Sequence, residues 1–389
     1  MTQMKNVCGA LLLWALCSLP AQAVCHWPEW DHFRQHYISE EGRVIDPADG
    51  RRITTSEGQS YALFFALVND DRETFARLLD WTERQLARGD LTGFLPSWLW
   101  GRQQDGSWGV LDANSASDSD LWIAYSLLEA GRLWDNHSYS ALGTLLLRHI
   151  AREEVATLPG LGPVLLPGAK GYEGEGRWTL NPSYLPPQLL ARFASFKGPW
   201  GEMRALLPKL LQESAPRGFA PDWVDWQADK GWQVTADKGD TGGYDAIRVY
   251  LWLGMLSEED PARASLVAHF APMLAQLTES GQLPERVSSL SGMLAQLTES
   301  GQLPERVSSL SGQVQGKGPS GFAAALLPLS RGLPAQVTLR KKVSDHGLDA
   351  NAYYGSVLTL FGAGWDQGRY RFAADGTLQP DWSESCQAE

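Results

Sequence analysis

Three acidic segments carry side chains of the kind that move protons, and each stands at the start of an apolar run. The first is Thr54-Thr55-Ser56-Glu57-Gly58-Gln59-Ser60-Tyr61. Read alone it is a capping box, with Thr54 and Glu57 at the S/T-x-x-E spacing. A glutamate in a first helical turn is also favoured as the anion by the helix dipole. For Glu57 to donate a proton near neutrality, burial would have to outweigh that dipole. The second segment, Ala116-Ser117-Asp118-Ser119-Asp120, precedes Leu121-Trp122-Ile123. Two acids two residues apart point in different directions, so one can cap the helix while the other faces a cleft. In the third, Asp245 and Arg248 stand at i,i+3 and lead into Val249-Tyr250-Leu251-Trp252-Leu253. They form either a simple surface pair or a buried one, in which the arginine keeps Asp245 ionised as a general base requires. One protonated and one ionised carboxyl are what hydrolysis of a glycosidic bond needs.

The elements around these acids are mainly helical. Apolar spacing and Gly, Pro, Asp or Ser boundaries predict helices over 60–69, 72–88, 120–133, 139–152, 187–196, 202–213, 244–256, 261–277, 321–327 and 351–361. Strand-like alternation is scarce. Successive helical hairpins without a Pro- or Ser-rich linker predict one all-α domain, a closed ring of hairpins, over 24–389. Between the acidic segments lie Trp98, Trp100, Trp108, Tyr184, Trp223, Trp226 and Trp232, in stretches rich in Gly, Pro and Asp. Flat indole faces match the C–H faces of pyranose rings; the alternative is a tryptophan-rich core.

The N-terminus reads as a secretory signal peptide over 1–23: Lys5, the apolar run Val7 to Leu19, then the exit Ala21-Gln22-Ala23. That run is too short to span a membrane, and no other membrane span is expected. Removing Lys5 takes the formal net charge from −12 to −13. So acidic a chain is poorly suited to nucleic acid or anionic lipid and is compatible with a neutral substrate. Cys25 and Cys386 remain near the two ends and invite a disulfide in an oxidising compartment. No His/Cys cluster has metal-ligand spacing, so no metal or other cofactor is expected. Met273 to Gly292 recurs letter for letter as Met293 to Gly312. A single exact pair is an in-frame duplication rather than a solenoid, and one copy is expected to bulge outward as a surface loop.

ITTSEGQSYAL (Ile53 to Leu63), ASDSDLWIAYSLLEAGRLW (Ala116 to Trp134), LNPSYLPP (Leu180 to Pro187) and YDAIRVYLW (Tyr244 to Trp252) resemble glycoside hydrolase family 8. The likeness extends from about Cys25 to Cys386 and is nearest to the periplasmic endoglucanases encoded with bacterial cellulose synthase. It implies an (α/α)6 barrel with an open cleft at the inner-helix N-termini, inversion of configuration and no metal. It also implies a periplasmic monomer acting on β-1,4-glucan, with the cellulose synthase and export complex as a candidate partner. Matched by motif, Glu57 corresponds to the general acid, Asp245 to the general base and Asp118 to the acid that binds the distorted sugar. Tyr184 corresponds to a tyrosine that holds the attacking water, and Arg248 would orient Asp245. Ser119 departs from the family pattern, which has Ala or Gly there. A chitosanase or xylanase of the same family, or a non-catalytic glucan-binding component of the export machinery, is the alternative.

Overall fold

The structure, a computed structural model, describes residues 27–273 and 303–383. The signal peptide, Cys25, Cys386 and most of the first repeat copy lie outside the described residues, and with them the expected disulfide and outward loop. Twelve α-helices are described: α1 (Pro28–Tyr37), α2 (Ser56–Val68), α3 (Arg72–Leu86), α4 (Ser117–Leu133), α5 (His137–Glu153) and α6 (Pro187–Phe193), then α7 (Trp200–Ser214), α8 (Ile247–Gly254), α9 (Arg263–Phe270), α10 (Ser320–Leu326), α11 (Ala335–His346) and α12 (Tyr353–Asp366).

Burial alternates along this series. In α2 every residue except Glu57 is buried, α8 is buried throughout, and α4 is buried from Ser117 to Gly131. These helices are apolar on nearly all faces, which suits an interior position. The odd-numbered helices are buried along only part of their surface. In α3 one stripe is buried, with Phe75, Leu78, Trp81 and Leu86 on it, and in α5 burial is confined to Gly143, Leu146, Leu147, His149 and Ile150. Local sequence supports their ends: the Asp71 side chain caps α3 through Thr74 N–H at 3.1 Å, and Asn136 caps α5 through Ser138 and Tyr139.

The buried helices touch in succession, α2 to α4, α4 to α6, α6 to α8, α8 to α10 and α10 to α12. Phe361 of α12 then returns to α2, its ring 5.0 Å from Tyr61 and 4.6 Å from Phe65. Trp122, Trp252 and Phe361 meet in the middle at centroid separations of 5.1–5.4 Å. Backbones approach closely where this ring tightens: a Cβ at Gly362 would lie 1.8 Å from the Ala324 carbonyl oxygen.

The described strands are short, two to five residues each. Three of their sheets gather at the N-terminal ends of buried helices. Thr54–Thr55 pairs with Leu99–Arg102, which pairs with Trp108–Asp112, and α2 follows directly. Arg177–Leu180 pairs with Val224–Gln227 and runs toward α6. Thr241–Gly242 pairs with Arg306–Ser308, just before α8. The last partner belongs to the second copy of the repeat, whose residues 303–312 are described.

The helices predicted from apolar spacing are present, with shifted ends. α1 and α11 escaped the sequence reading, α9 stops at Phe270, and α8 begins at Ile247, three residues later than expected.

Candidate active site

The entry to α2 is not the capping box its letters suggest. Thr55 is the cap, accepting from Gly58 N–H at 3.0 Å. Thr54 faces inward, accepting from Arg43 Nε at 2.8 Å and donating to the Val44 carbonyl at 2.5 Å. Glu57 is therefore released from capping, and it is the only residue of α2 that is not buried.

At the start of α4 the two acids diverge. Asp118 accepts from Ser119 N–H at 2.8 Å and turns toward Glu57 and Arg248. Ser119 also places its hydroxyl 3.3 Å from Asp118, so the departure from the family pattern adds a contact. Asp120 is fully buried on the other side, against Glu154. Glu154 accepts from Ser115 at 2.5 Å.

Arg248, in the first turn of α8, ties the acids together. Its Nη1 donates to Glu57 and lies 3.7 Å from Asp118, while Nη2 donates to Asp245 at 2.8 Å. The guanidinium also donates to Ser183 Oγ at 3.1 Å and to the Tyr61 hydroxyl at 3.3 Å. Its side chain is only 3% exposed, against 23% for Glu57, 4% for Asp118 and 28% for Asp245. Arg248 was expected to orient Asp245; it holds three carboxylates.

The charge balance decides what this cluster can do. One cation faces three acids, so the fully ionised state leaves excess negative charge in a poorly hydrated place. Burial pushes the Asp118 carboxyl up to about 7, with Glu57 and Asp245 adding to the rise and Arg248 opposing it. Burial pushes Asp245 up to about 6; Asp222 and Glu57 reinforce the shift, and Arg248 and Asn181 oppose it. Near neutrality Asp245 is thus mostly an anion able to take a proton, while Asp118 is close to half protonated.

Tyr184 ends a 3-10 turn, Pro182–Tyr184, capped by Asn181 through Ser183 N–H at 3.0 Å. Its ring stands 5.6 Å from the Arg248 guanidinium. Burial raises its phenol well above the ordinary range, with the charges of Asp118 and Asp245 contributing, so it is a neutral donor. Sequence reasoning missed Asn181 and Ser183 as supports for Arg248 and Asp245. It also missed Tyr353, whose buried hydroxyl has no hydrogen-bond partner among the described residues. Tyr354 donates to the Tyr244 carbonyl and was missed too. The NPSY and YY letters were the only local signals.

The tryptophans divide. Trp98 accepts Ser56 N–H on its carbonyl at 3.0 Å, beside Glu57. Trp100 and Trp108 stack at 5.5 Å on the neighbouring hairpin, Arg43 lies against both rings, and Trp108 is 47% exposed. Trp223 stacks with Tyr172 at 6.1 Å and meets Tyr184 edge-on. Trp226, in contrast, is buried in the core, on a strand whose residues Val224, Asp225 and Trp226 are all buried. Trp232 packs on Trp226 at 5.0 Å and donates to Glu213. Trp226, and likewise Trp100 beneath Trp108, present too little open surface to carry a sugar themselves. Among the described residues no group of three or more His, Cys, Asp or Glu could hold a metal ion. No helix among them is long and apolar enough to cross a membrane.

Comparison with known proteins places this cluster in context. The profile described as glycosyl hydrolases family 8 matches residues 1–368. An endoglucanase of Salmonella typhi is 51% identical over 371 residues, 95% of each chain. An endoglucanase of Xanthomonas axonopodis pv. citri is 44% identical over 394 residues, covering 98% of this chain and 97% of its own. The crystal structure of an endo-1,4-D-glucanase from Vibrio fischeri ES114 superposes with a TM-score of 0.82 at 46% identity, covering 92% of this chain and all of that one.

Proposed function

Because the chain belongs to glycoside hydrolase family 8, and is therefore a glycosidase, we propose that it is an endo-1,4-β-glucanase. In this reading it cuts cellulose internally and with inversion. The observation that carries the proposal is Arg248 holding Glu57, Asp118 and Asp245 at one place. The alternation of buried and partly exposed helices supports the (α/α)6 barrel implied by the family resemblance, with the acids at the N-terminal ends of α2, α4 and the turn before α8.

Glu57 gives its proton to the leaving glycosidic oxygen as the C1–O bond breaks. Asp245 takes a proton from water, whose oxygen attacks C1 from the opposite face. Tyr184, a neutral phenol, accepts or donates to that water. Asp118, partly protonated near neutrality, hydrogen-bonds the ring hydroxyls of the sugar at the cleavage point. Glu57 meets Arg248 rather than an apolar wall, so the acid role requires this contact to open when a sugar enters, freeing Glu57 to turn to the leaving oxygen. Trp108, backed by Trp100, and Trp223 with Tyr172, are the stacking surfaces for flanking sugars. The N-terminal apolar segment supports export to the periplasm, and a role in cellulose biosynthesis beside the synthase follows from the same resemblance.

The test replaces Glu57 by Gln. Turnover on carboxymethylcellulose should fall by about three orders of magnitude or more, within the range carried by general acid catalysis, while cello-oligosaccharides still bind. Activity close to the parent's removes Glu57 from the acid role. NMR of the first product should show the α-anomer, and a β-anomer contradicts inversion. Parallel rates on chitosan and xylan decide the substrate.

A further inference from the structure

Asp222 lies outside the three-acid cluster, in the segment leading to Trp223. A single oxygen of its carboxylate, Oδ1, accepts from the backbone N–H groups of Gly243 at 2.8 Å, Asp245 at 3.1 Å and Ala246 at 2.7 Å. The Asp222 N–H donates to the Thr241 carbonyl at 3.0 Å, so the two segments grip each other in both directions. Bonds to a charged acceptor are the strong kind. Here they satisfy donors at the entry to α8 that would otherwise be unpaired.

The loop so held has little slack. A Cβ at Gly242 would lie 1.9 Å from the Ala220 carbonyl oxygen, and Thr241–Gly242 is paired with Ser308 and Val307. Asp245 thus leaves a backbone fixed on one side by a strand and on the other by Asp222. The next residue, Trp223, meets Tyr184 at 6.1 Å, so the same segment carries a stacking surface and the anchor of the base loop.

We propose that Asp222 is a positioning residue for hydrolysis, fixing the backbone that carries Asp245 and setting, through its charge, how readily Asp245 takes a proton from water. The inference rests on the reading of Asp245 as the general base. The groups acting on Asp245 are Arg248, Asp222, Glu57 and Asn181, and the Asp118 carboxyl and the phenols of Tyr172, Tyr184 and Tyr354 feel its charge. Asp222 in turn acts on Tyr250 and Tyr354, and Glu305 and Arg306, themselves 3.7 Å apart, flank Gly243.

Asp222→Asn keeps an oxygen where the three N–H groups point and removes only the charge. Its acid limb of kcat/KM against pH on carboxymethylcellulose should move down by about half a pH unit, because a nearby negative charge no longer opposes ionisation of Asp245. Asp222→Ala removes the acceptor as well, and kcat should fall by roughly tenfold or more, with KM within about threefold of the parent. An unmoved or raised acid limb in Asp222→Asn overturns the proposal, whether or not the alanine variant folds. So does a folded Asp222→Ala enzyme with kcat within twofold of the parent. Asp245→Asn is measured alongside. If it is inactive and the Asp222→Asn limb stays in place, the proposal for Asp222 fails and the base assignment stands; if it keeps its activity, the base assignment fails and takes the proposal with it.

Discussion

Replacing Arg248 by Gln removes the one cation shared by Glu57, Asp118 and Asp245 and leaves a side chain that still donates hydrogen bonds. Charge centres about 4 Å apart attract by about 4 kcal/mol at an effective dielectric near 20. Asp245 keeps 28% of its side chain exposed, so solvent screening cuts this to about 2 kcal/mol. That corresponds to about 1.5 pH units. Asp245, now pushed to about 6 by burial, would then ionise only above pH 7. At pH 6 the ionised fraction would drop roughly fifteenfold, and kcat/KM with it. Much of this loss should return by pH 8.5, less whatever the lost orientation costs. The assay is reducing-sugar release from carboxymethylcellulose across pH 4.5–9, with near-UV circular dichroism to verify packing. An acid limb within about 0.3 pH unit of the parent's, in a folded variant, refutes the claim that Arg248 sets the ionisation of Asp245.

Two further outcomes follow from features outside that trio. Trp108→Ala removes the exposed ring of the Trp100–Trp108 stack, losing about 1 kcal/mol of aromatic contact; KM for long cello-oligosaccharides should rise about fivefold with kcat little changed, and an unchanged KM removes this stack from the binding surface. Glu154 is raised to about 8 by burial, from an ordinary value of 4.5, so the folded chain keeps a proton that the unfolded chain releases. The resulting stability is fully present below pH 4.5 and is lost as pH rises through about 8. Glu154→Gln should therefore flatten the fall of Tm between about pH 4.5 and 8, and a Tm that falls as steeply as the parent's contradicts this.

The buried helices were legible because α2, α4 and α8 are apolar on nearly every face, a pattern that needs no tertiary information. α1 carries Trp30, Phe33 and Tyr37 on one side, a spacing that the sequence displays and that went unread. α11 buries only Ala335 and Leu339, so its periodicity is weak. The acids were found because they start apolar helices, yet local letters could not rank them. Thr54 looked like the partner of Glu57 until Arg43 and Val44, far from it in the capping pattern, claimed its hydroxyl. Asp118 and Asp120 were equivalent in local spacing, and only the family motif chose between them; in the structure Glu154, at the end of another helix, separates them. Asp222 had no signal at all, since its three partners lie about twenty residues downstream and are backbone groups. Trp226 seemed a loop platform because the short strand that carries it into the core was not read.

Glu57 is the only position of α2 that packing leaves free, and this limits how such an enzyme can be altered. Its neighbours on the helix all bear on other helices, so a change meant to retune the acid would first disturb the interior. Variation in substrate length or sugar type has to be written elsewhere, in the hairpin bearing Trp100 and Trp108 and in the segment bearing Trp223. Those stretches end in turns that tolerate insertion and exchange. A library confined to them would sample specificity while leaving the proton chemistry in place.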